Sequence, residues 1–343
     1  MKRYLAQVIV PAACVALPIS AAAQSSATIY GRVDTSIDNV KTGSDSLTQM
    51  TSNASRVGFR GEETLGSGLR ALFGIEMGVS SDTGAGSTPA LRNSYVGLAG
   101  DFGVVAAGRL DSAAPTRTPL YALVTRHTEF VIHDAGATAV GTSILNARTR
   151  VSNAVGYASP IFSNLVFRAG YYLNGDGLPE APNTPIRYEG DYKQADMSLS
   201  YGEGGGPLGL GIGYGQNKRR GGALINDVED KWMAVASYEI GKFRAWALFN
   251  RDNTRPGPTS RSNTDVHYIG ASWDVSNGKI VGNYMVKDVQ TDRDAKLRRF
   301  QVGYLHNLSR RTKLYTFLDR SDPNNRVGND VIRAAGVGIQ HNF

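Results

Sequence analysis

The sequence predicts an all-β fold, with antiparallel strands closed into a barrel whose outer face meets a membrane. Three observations carry that prediction. Apolar residues recur at every second position over strand-length stretches, as in Leu69, Ala71, Phe73, Ile75 and Met77, and a period of two belongs to strands. The links between stretches alternate between a short turn and a longer polar loop, as in outer-membrane barrels. The polar faces carry Arg, Glu and Asp, for example Arg56, Arg60 and Glu62. Water must therefore reach that side of the wall, which leaves the apolar side for hydrocarbon.

Residues 1–23 read as a secretory signal. Lys2 and Arg3 form the charged start, Leu5 to Ile19 the apolar stretch, and Ala21-Ala22-Ala23 the small residues of a cleavage site. Cys14 inside that stretch raises a lipoprotein signal as a rival, although Pro11-Ala12-Ala13 lacks the usual leading aliphatic residue. The barrel then spans 24–343. In the first half, strand cores fall at 28–37, 55–64, 68–78, 92–99, 103–110, 148–157, 165–173 and 187–202. The second half gives 208–216, 231–240, 242–250, 265–274, 279–288, 298–307, 312–319 and 331–343. That makes a transmembrane antiparallel β-barrel of 16 strands. Between 187 and 202 the outward set switches parity, which a bulge near Gln194-Ala195 would reconcile; a hairpin there points to 18 strands instead. Long polar stretches at 39–54, 80–90, 174–185, 217–230 and 253–263 read as loops. The longest segment without alternation is 111–147, and a long unpatterned loop is usually functional.

Aromatic residues collect near strand ends, including Tyr30, Phe59, Phe102, Tyr157, Trp232, Tyr238, Phe243, Trp273 and Tyr315. They suit the two membrane interfaces, which accept an apolar ring and a polar tip. Gly97, Ala106, Gly108, Ala154 and Gly156 are expected on the outer face, where small residues let one barrel pack on another. The last strand sets Val337, Ile339, His341 and Phe343 on one face, and closure onto the first strand removes its free edge.

Composition narrows the function. No run of 18 apolar residues exists, so a helical membrane span is excluded. One Cys among 343 residues excludes a disulfide framework and any multi-cysteine metal site. Glycine, at 40 residues, exceeds the ~7% of average usage without a three-residue period. The net charge is +7, from 27 Arg and 10 Lys against 30 acids. These bases are spread along an exported chain rather than gathered in a patch, which argues against nucleic acid. An enzyme needs a nucleophile and a base, and among five histidines only His133-Asp134 is suggestive. No cofactor and no metal are expected.

At this level of detail the chain resembles the Gram-negative general porins of the β-proteobacterial type. The residues that carry the resemblance begin with Ser-Ser-Ala-Thr-Ile-Tyr-Gly-Arg-Val-Asp at 25–34, the run from Ser55 to Leu69, and Tyr-Val-Gly-Leu-Ala-Gly-Asp-Phe-Gly at 95–103. They continue with Gly108-Arg109, Val155-Gly156-Tyr157-Ala158-Ser159-Pro160, Leu308-Ser309-Arg310-Arg311-Thr312 and Gly338-Ile339-Gln340-His341-Asn342-Phe343. The resemblance implies passive diffusion of small hydrophilic solutes across the cell outer membrane. It also implies a homotrimer that meets outer-membrane lipid and lipopolysaccharide, with Phe343 as the signature read by the outer-membrane assembly machinery.

The resemblance implies further that 111–147 is a constriction loop folded into the lumen, facing basic wall positions Arg56, Arg92 and Arg150. Strand parity adds Arg32, Arg60, Arg70, Arg109 and Arg148 to the lumen, with Glu76 nearby. The loop departs from the family pattern. It is rich in apolar residues such as Pro115, Pro119, Leu120, Leu123, Val124, Phe130 and Val131, with only Asp111, Glu129 and Asp134 as acids. Mild anion selectivity is the expected outcome; a channel specific for a small carboxylate is the alternative, and an outer-membrane barrel enzyme a more remote one.

Overall fold

The computed structural model describes residues 26–84, 91–111, 114–131, 150–173, 192–219, 228–254, 262–290, 295–324 and 330–343. The expected signal at 1–23, Asp134 and Arg148 lie outside them. The first strands are β1 (Ser26–Thr42), β2 (Asp45–Ser52), β3 (Arg56–Gly66), β4 (Leu69–Gly78), β5 (Leu91–Gly100) and β6 (Gly103–Asp111). A helix, α1 (Pro119–His127), follows. Next come β7 (Arg150–Ala158), β8 (Leu165–Tyr172), β9 (Tyr192–Tyr201), β10 (Leu208–Arg219), β11 (Val228–Ile240) and β12 (Phe243–Thr254). The chain ends with β13 (Ser262–Val275), β14 (Gly278–Gln290), β15 (Ala295–Asn307), β16 (Thr312–Asn324) and β17 (Ile332–Asn342).

The paired strands form one antiparallel ring, with β17 returning to β1 from Arg32↔Asn342 to Thr42↔Ile332. The other edge of β1 serves two partners. Its lower part pairs with β3 (Arg32↔Arg56) and its upper part with β2 (Thr35↔Ser52). A break at Asn53-Ala54-Ser55, with φ of 58° at Ala54, separates β2 from β3, which share one position in the wall. The 17 segments therefore make a closed barrel of sixteen strands. Full closure leaves no edge to be satisfied by hydrocarbon.

Two expectations about the strands need correction. The stretch 39–54 is not an open loop: β1 runs to Thr42 and β2 pairs back along it to Thr42↔Asp45. Strand segments this polar still satisfy their backbone by pairing, and Asn39 adds a side-chain bond to Thr48 at 2.9 Å. In the other stretch, β9 pairs without a register shift from Tyr192 to Tyr201. The bulge expected at Gln194-Ala195 is absent, and Met197 and Leu199 face outward.

Alternation sorts the wall as expected. Ile29, Val33, Ile37, Val96, Leu210, Ile212, Trp273 and Val337 are exposed on the outer face, while Asp34, Ser36, Glu76, Asp196, Asn283 and Gln340 are buried on the inner one. Phe59, Phe102, Trp232, Tyr238 and Phe243 join the outer girdle. Tyr30 and Tyr315 do not. Tyr30 lies inside under Arg60, 4.9 Å from ring centroid to guanidinium, and Tyr315 donates to buried Asp34 at 2.6 Å.

Closure is sealed by Phe343. Its backbone exchanges two hydrogen bonds with Gly31, at 3.0 and 3.1 Å, and its ring covers Gly31 on the outer face. A Cβ at Gly31 would sit 2.3 Å from the ring and 2.7 Å from the Arg56 carbonyl oxygen. Gly31→Leu should therefore lower the temperature at which the folded barrel loses its compact gel mobility, by an overpacking cost of about 1–3 kcal/mol. Adding Phe343→Ala to Gly31→Leu should recover part of that loss, and a purely additive double variant would refute the contact.

Candidate functional site

The inner wall is built around the loop that leaves β6. Thr116 lies over Gly156 of β7, where a Cβ would be 2.6 Å from its hydroxyl. Helix α1 then crosses β10. That strand reads Leu-Gly-Leu-Gly-Ile-Gly-Tyr-Gly from 208 to 215, so its inner face is a row of glycines. Leu120 and Leu123 rest on this bare backbone: a Cβ at Gly213 would meet Leu120 at 2.4 Å, and one at Gly211 would meet Leu123 at 2.7 Å. The sequence reading had no helix here, although Pro119 at the first turn and apolar Leu120, Leu123, Val124 and His127 follow helical spacing.

Beyond α1 the loop continues along the wall. Arg244 of β12 donates to Glu129 at 3.0 Å and to the Arg126 carbonyl at 2.9 Å. Lys279 of β14 reaches Glu129 at 3.1 Å, and Tyr268 of β13 donates to the Glu129 carbonyl at 2.7 Å. Val131 donates its N–H to Gln301 of β15 at 3.2 Å, and Gln301 is braced by Asp319 at 2.9 Å. Only a segment inside the barrel can touch the inner faces of strands from β7 round to β15. The loop's apolar residues thereby acquire a reason. Leu120, Leu123, Val124, Phe130 and Val131 form one core with inward Met233, Val235, Trp246, Leu248, Val266, Tyr268 and Met285. At ~1.5–3 kcal/mol per buried side chain, those five loop residues hold the loop to the wall by at most about 15 kcal/mol.

The basic wall forms a chain of alternating charge. Arg92 donates to Glu76 at 2.7 Å, and Arg56 lies 3.6 Å from the same carboxylate. Arg92 also approaches Asp111 at 3.8 Å, and Arg150 approaches it at 3.6 Å. The two acids lie underneath. Side-chain exposure is 1% and 2% for Glu76 and Asp111, against 21%, 13% and 33% for Arg56, Arg92 and Arg150. Three guanidiniums are thus presented to water over two carboxylates that are not. Arg32 joins as the cross-strand partner of Arg56, donating to Asn342 at 3.1 Å. Arg60 shares the face, while Arg70 sits toward the short-turn end, paired with Glu62 at 2.8 Å.

Two sequence-predicted site residues fall elsewhere. Arg109 pairs with Ser94, which pairs with exposed Ile75, so it stands on the outer face. There it donates to the Leu91 carbonyl at 2.9 Å. The parity of β6 was inverted because Ala106, Ala154 and Gly156 were expected outward. Ala106 and Ala154 instead pack inside with Leu110, Ala114 and Val151, forming with Gly156 the floor on which the loop begins. Gly97 and Gly108 also lie on that inner face, cross-strand from Ala106 and Ala154. Glu129, expected among the acids of the constriction loop, is turned to the wall and neutralised by Arg244 and Lys279. Sequence reading also missed Arg244, Lys279 and the glycine row of β10; only the glycine row had a local signal, a strand with no side chains on one face. Among the described residues no group of His, Cys, Asp and Glu is placed to hold a metal ion.

A closed barrel with an apolar exterior, a polar interior and a loop lodged in its lumen defines a membrane channel. Residues 11–326 match the Gram-negative porin family, to which the chain belongs. It is 31% identical over 319 residues to outer membrane porin protein 32 of Delftia acidovorans, covering 88% of this chain and 86% of that one. It is 23% identical over 357 residues to major outer membrane protein P.IB of Neisseria meningitidis serogroup B, covering 96% and 97%. In structure it is similar to an anion-selective porin from Comamonas acidovorans, with a TM-score of 0.72 and 27% identity over 93% of this chain and all of that one. The chain is an outer-membrane diffusion channel.

His127 ties the end of α1 to the wall, 2.9 Å from the Ser200 hydroxyl of β9 and 3.4 Å from the Ser237 hydroxyl of β11. Burial, followed by the charge of Arg126, pushes its pKa down to about 4; Arg244 and Arg168 act the same way, and Glu203 opposes them. A pKa lowered by docking means that the undocked loop binds the extra proton. Docking is therefore strongest above the ordinary histidine value of ~6.5 and weakens as pH falls from there towards 4. Single-channel records should show more frequent gating across that window, and His127→Gln should remove the dependence.

Proposed function

We propose that this porin is a passive, anion-preferring diffusion channel whose selectivity comes from Arg56, Arg92 and Arg150, supported by Arg32 and Arg60. The observation that carries this reading is the burial of Glu76 and Asp111 beneath the arginines. A solute meets positive charge first, and a charged low-dielectric wall raises the local concentration of anions. Neutralisation of Glu129 on the far side removes one opposing charge. The relative named as anion-selective supports the same sign.

The experiment is the zero-current potential across a planar bilayer under a salt gradient. It should have the sign of anion preference and decline with ionic strength, because the screening length is ~10 Å at 0.1 M and shorter above. Replacing Arg56, Arg92 and Arg150 together by Gln should move the potential toward cation preference; an unchanged potential would remove these residues from the selectivity role. Guanidinium forks also suit a carboxylate, and flux of a small carboxylate that saturates would favour the substrate-specific reading over free diffusion.

We further propose that residues 1–23 are removed on export and that the mature chain forms a homotrimer. With the small residues turned inward, the outer surface offered to a second copy is apolar and large. A groove on it runs over β1, β2 and β15 to β17, lined by Ile37, Met50, Leu314, Val337 and Ile339. Ile339→Arg should convert the oligomer to monomers on unheated gels while heat-modifiable mobility of the barrel persists; an intact oligomer would place the contact elsewhere.

A further inference from the structure

A second group of arginines lies apart from the wall just described, at the short-turn end of the barrel below α1. Arg168 projects inward from β8, level with Ala158 at the end of β7. Arg126 comes from the last turn of α1, and Arg117 from the loop just before that helix. Glu203, in the turn between β9 and β10, is the acid that answers them. It accepts from Arg168 at 2.8 Å and lies 4.0 Å from Arg126. Arg126 also donates to the Gly202 carbonyl.

The group is short of acceptors. The Arg117 guanidinium has no hydrogen-bond or ion-pair partner among the described residues, yet its charge interacts with those of Arg168, Glu203 and Arg126. Arg168 is 6% exposed, and its Nε is buried without a partner. Leaving a charged donor buried and unsatisfied is costly. Burial, then the neighbouring arginines, lowers the Arg117 pKa from its ordinary value, so the site gains from a negative charge. His127 next to it is neutral at pH 7 and adds no cation. Arg244, the remaining nearby base, is committed to Glu129 and Glu239. Arg126 is more than a third exposed, which keeps the group open to water.

We propose that Arg117, Arg126 and Arg168 form a second anion station at the short-turn mouth of the channel, which takes a small oxyanion, carboxylate or phosphate, on its way to or from the Arg56–Arg92–Arg150 wall. Short turns of outer-membrane barrels face the periplasm, so the station serves solutes on that side. Guanidinium groups supply paired donors that match two oxygens of such an ion, and the unpartnered Arg117 and Arg168 Nε supply the missing contacts. This inference rests on the anion-preferring reading above and extends it from one site to two.

The test is block of chloride current by inorganic phosphate, in planar bilayers held at constant ionic strength. Phosphate should block the wild type saturably. In Arg117→Gln, which removes no side-chain hydrogen bond or ion pair, the apparent affinity should fall about tenfold, as for loss of one charge-assisted hydrogen bond. Glu203→Gln removes the competing carboxylate and should tighten the block. Equal affinity in the wild type and Arg117→Gln would overturn the second station, as would a phosphate effect that never saturates. The zero-current potential of the wild type, read in the same bilayers, reports the Arg56–Arg92–Arg150 wall separately. Anion preference with unaltered phosphate block therefore refutes the station alone, whereas cation preference refutes the parent reading.

Discussion

Everything in this molecule depends on a backbone that must find all its hydrogen-bond partners within itself. In hydrocarbon an unpaired N–H or carbonyl group costs several kcal/mol, so the strands have to form a ring, and the ring has to close at β1 and β17. Closure forces the terminal residues into fixed places. Asn342 pairs with Arg32, and Phe343 locks onto Gly31. It also fixes which side chains point inward, because each strand alternates against its neighbours, and bulges such as the one between Ile75 and Met77 re-aim them locally. Arg56, Arg92 and Arg150 meet only because three separate strand ends arrive at the same height on the same wall.

The loop inside the barrel obeys a second rule. A segment running through a water-filled space must be fastened, and this one is fastened chiefly by apolar contact rather than by opposed charge. The inner faces of β11 to β14 carry Met233, Val235, Trp246, Leu248, Val266 and Met285, residues that would be out of place in an open aqueous lumen. They are in place because Leu123, Val124 and Phe130 cover them. Ionic contacts then settle direction, with Glu129 drawn to Arg244 and Lys279. As a result Glu129 is held at the wall, on the inner faces of β12 and β14.

Much of this was legible in the sequence. Period-two alternation located all sixteen strands, since a membrane barrel leaves each strand little freedom to depart from it. Resemblance supplied Arg56, Arg92 and Arg150, and the structure brings these three together with Glu76 and Asp111. Parity placed Arg32, Arg60 and Arg70 on the inner face, and the pairings Arg32↔Arg56 and Thr64↔Arg70 keep them on the face of Arg56. It failed for Arg109, where small residues at Ala106 and Gly108 suggested the wrong outward set. What faces a small residue cannot be read from the residue itself. The pairing of Glu129 was not legible either, because Lys279 and Arg244 lie more than a hundred residues away in sequence. Helix α1 was readable in retrospect from Pro119 and the spacing of Leu120, Leu123 and His127.

The glycine row of β10 has a consequence for how such a channel diverges. At Gly209, Gly211, Gly213 and Gly215 every coding change adds atoms, and each addition meets His127, Leu123, Leu120 or Asp196 within 3 Å. Drift at these positions runs in one direction only, toward crowding. The helix above them is free to vary in either direction, since a smaller residue leaves a gap and a larger one can lean into the lumen. Lineages that change the aperture are therefore expected to do so by editing the helix while the strand beneath stays blank, so that the unvarying partner records where the variable one is seated.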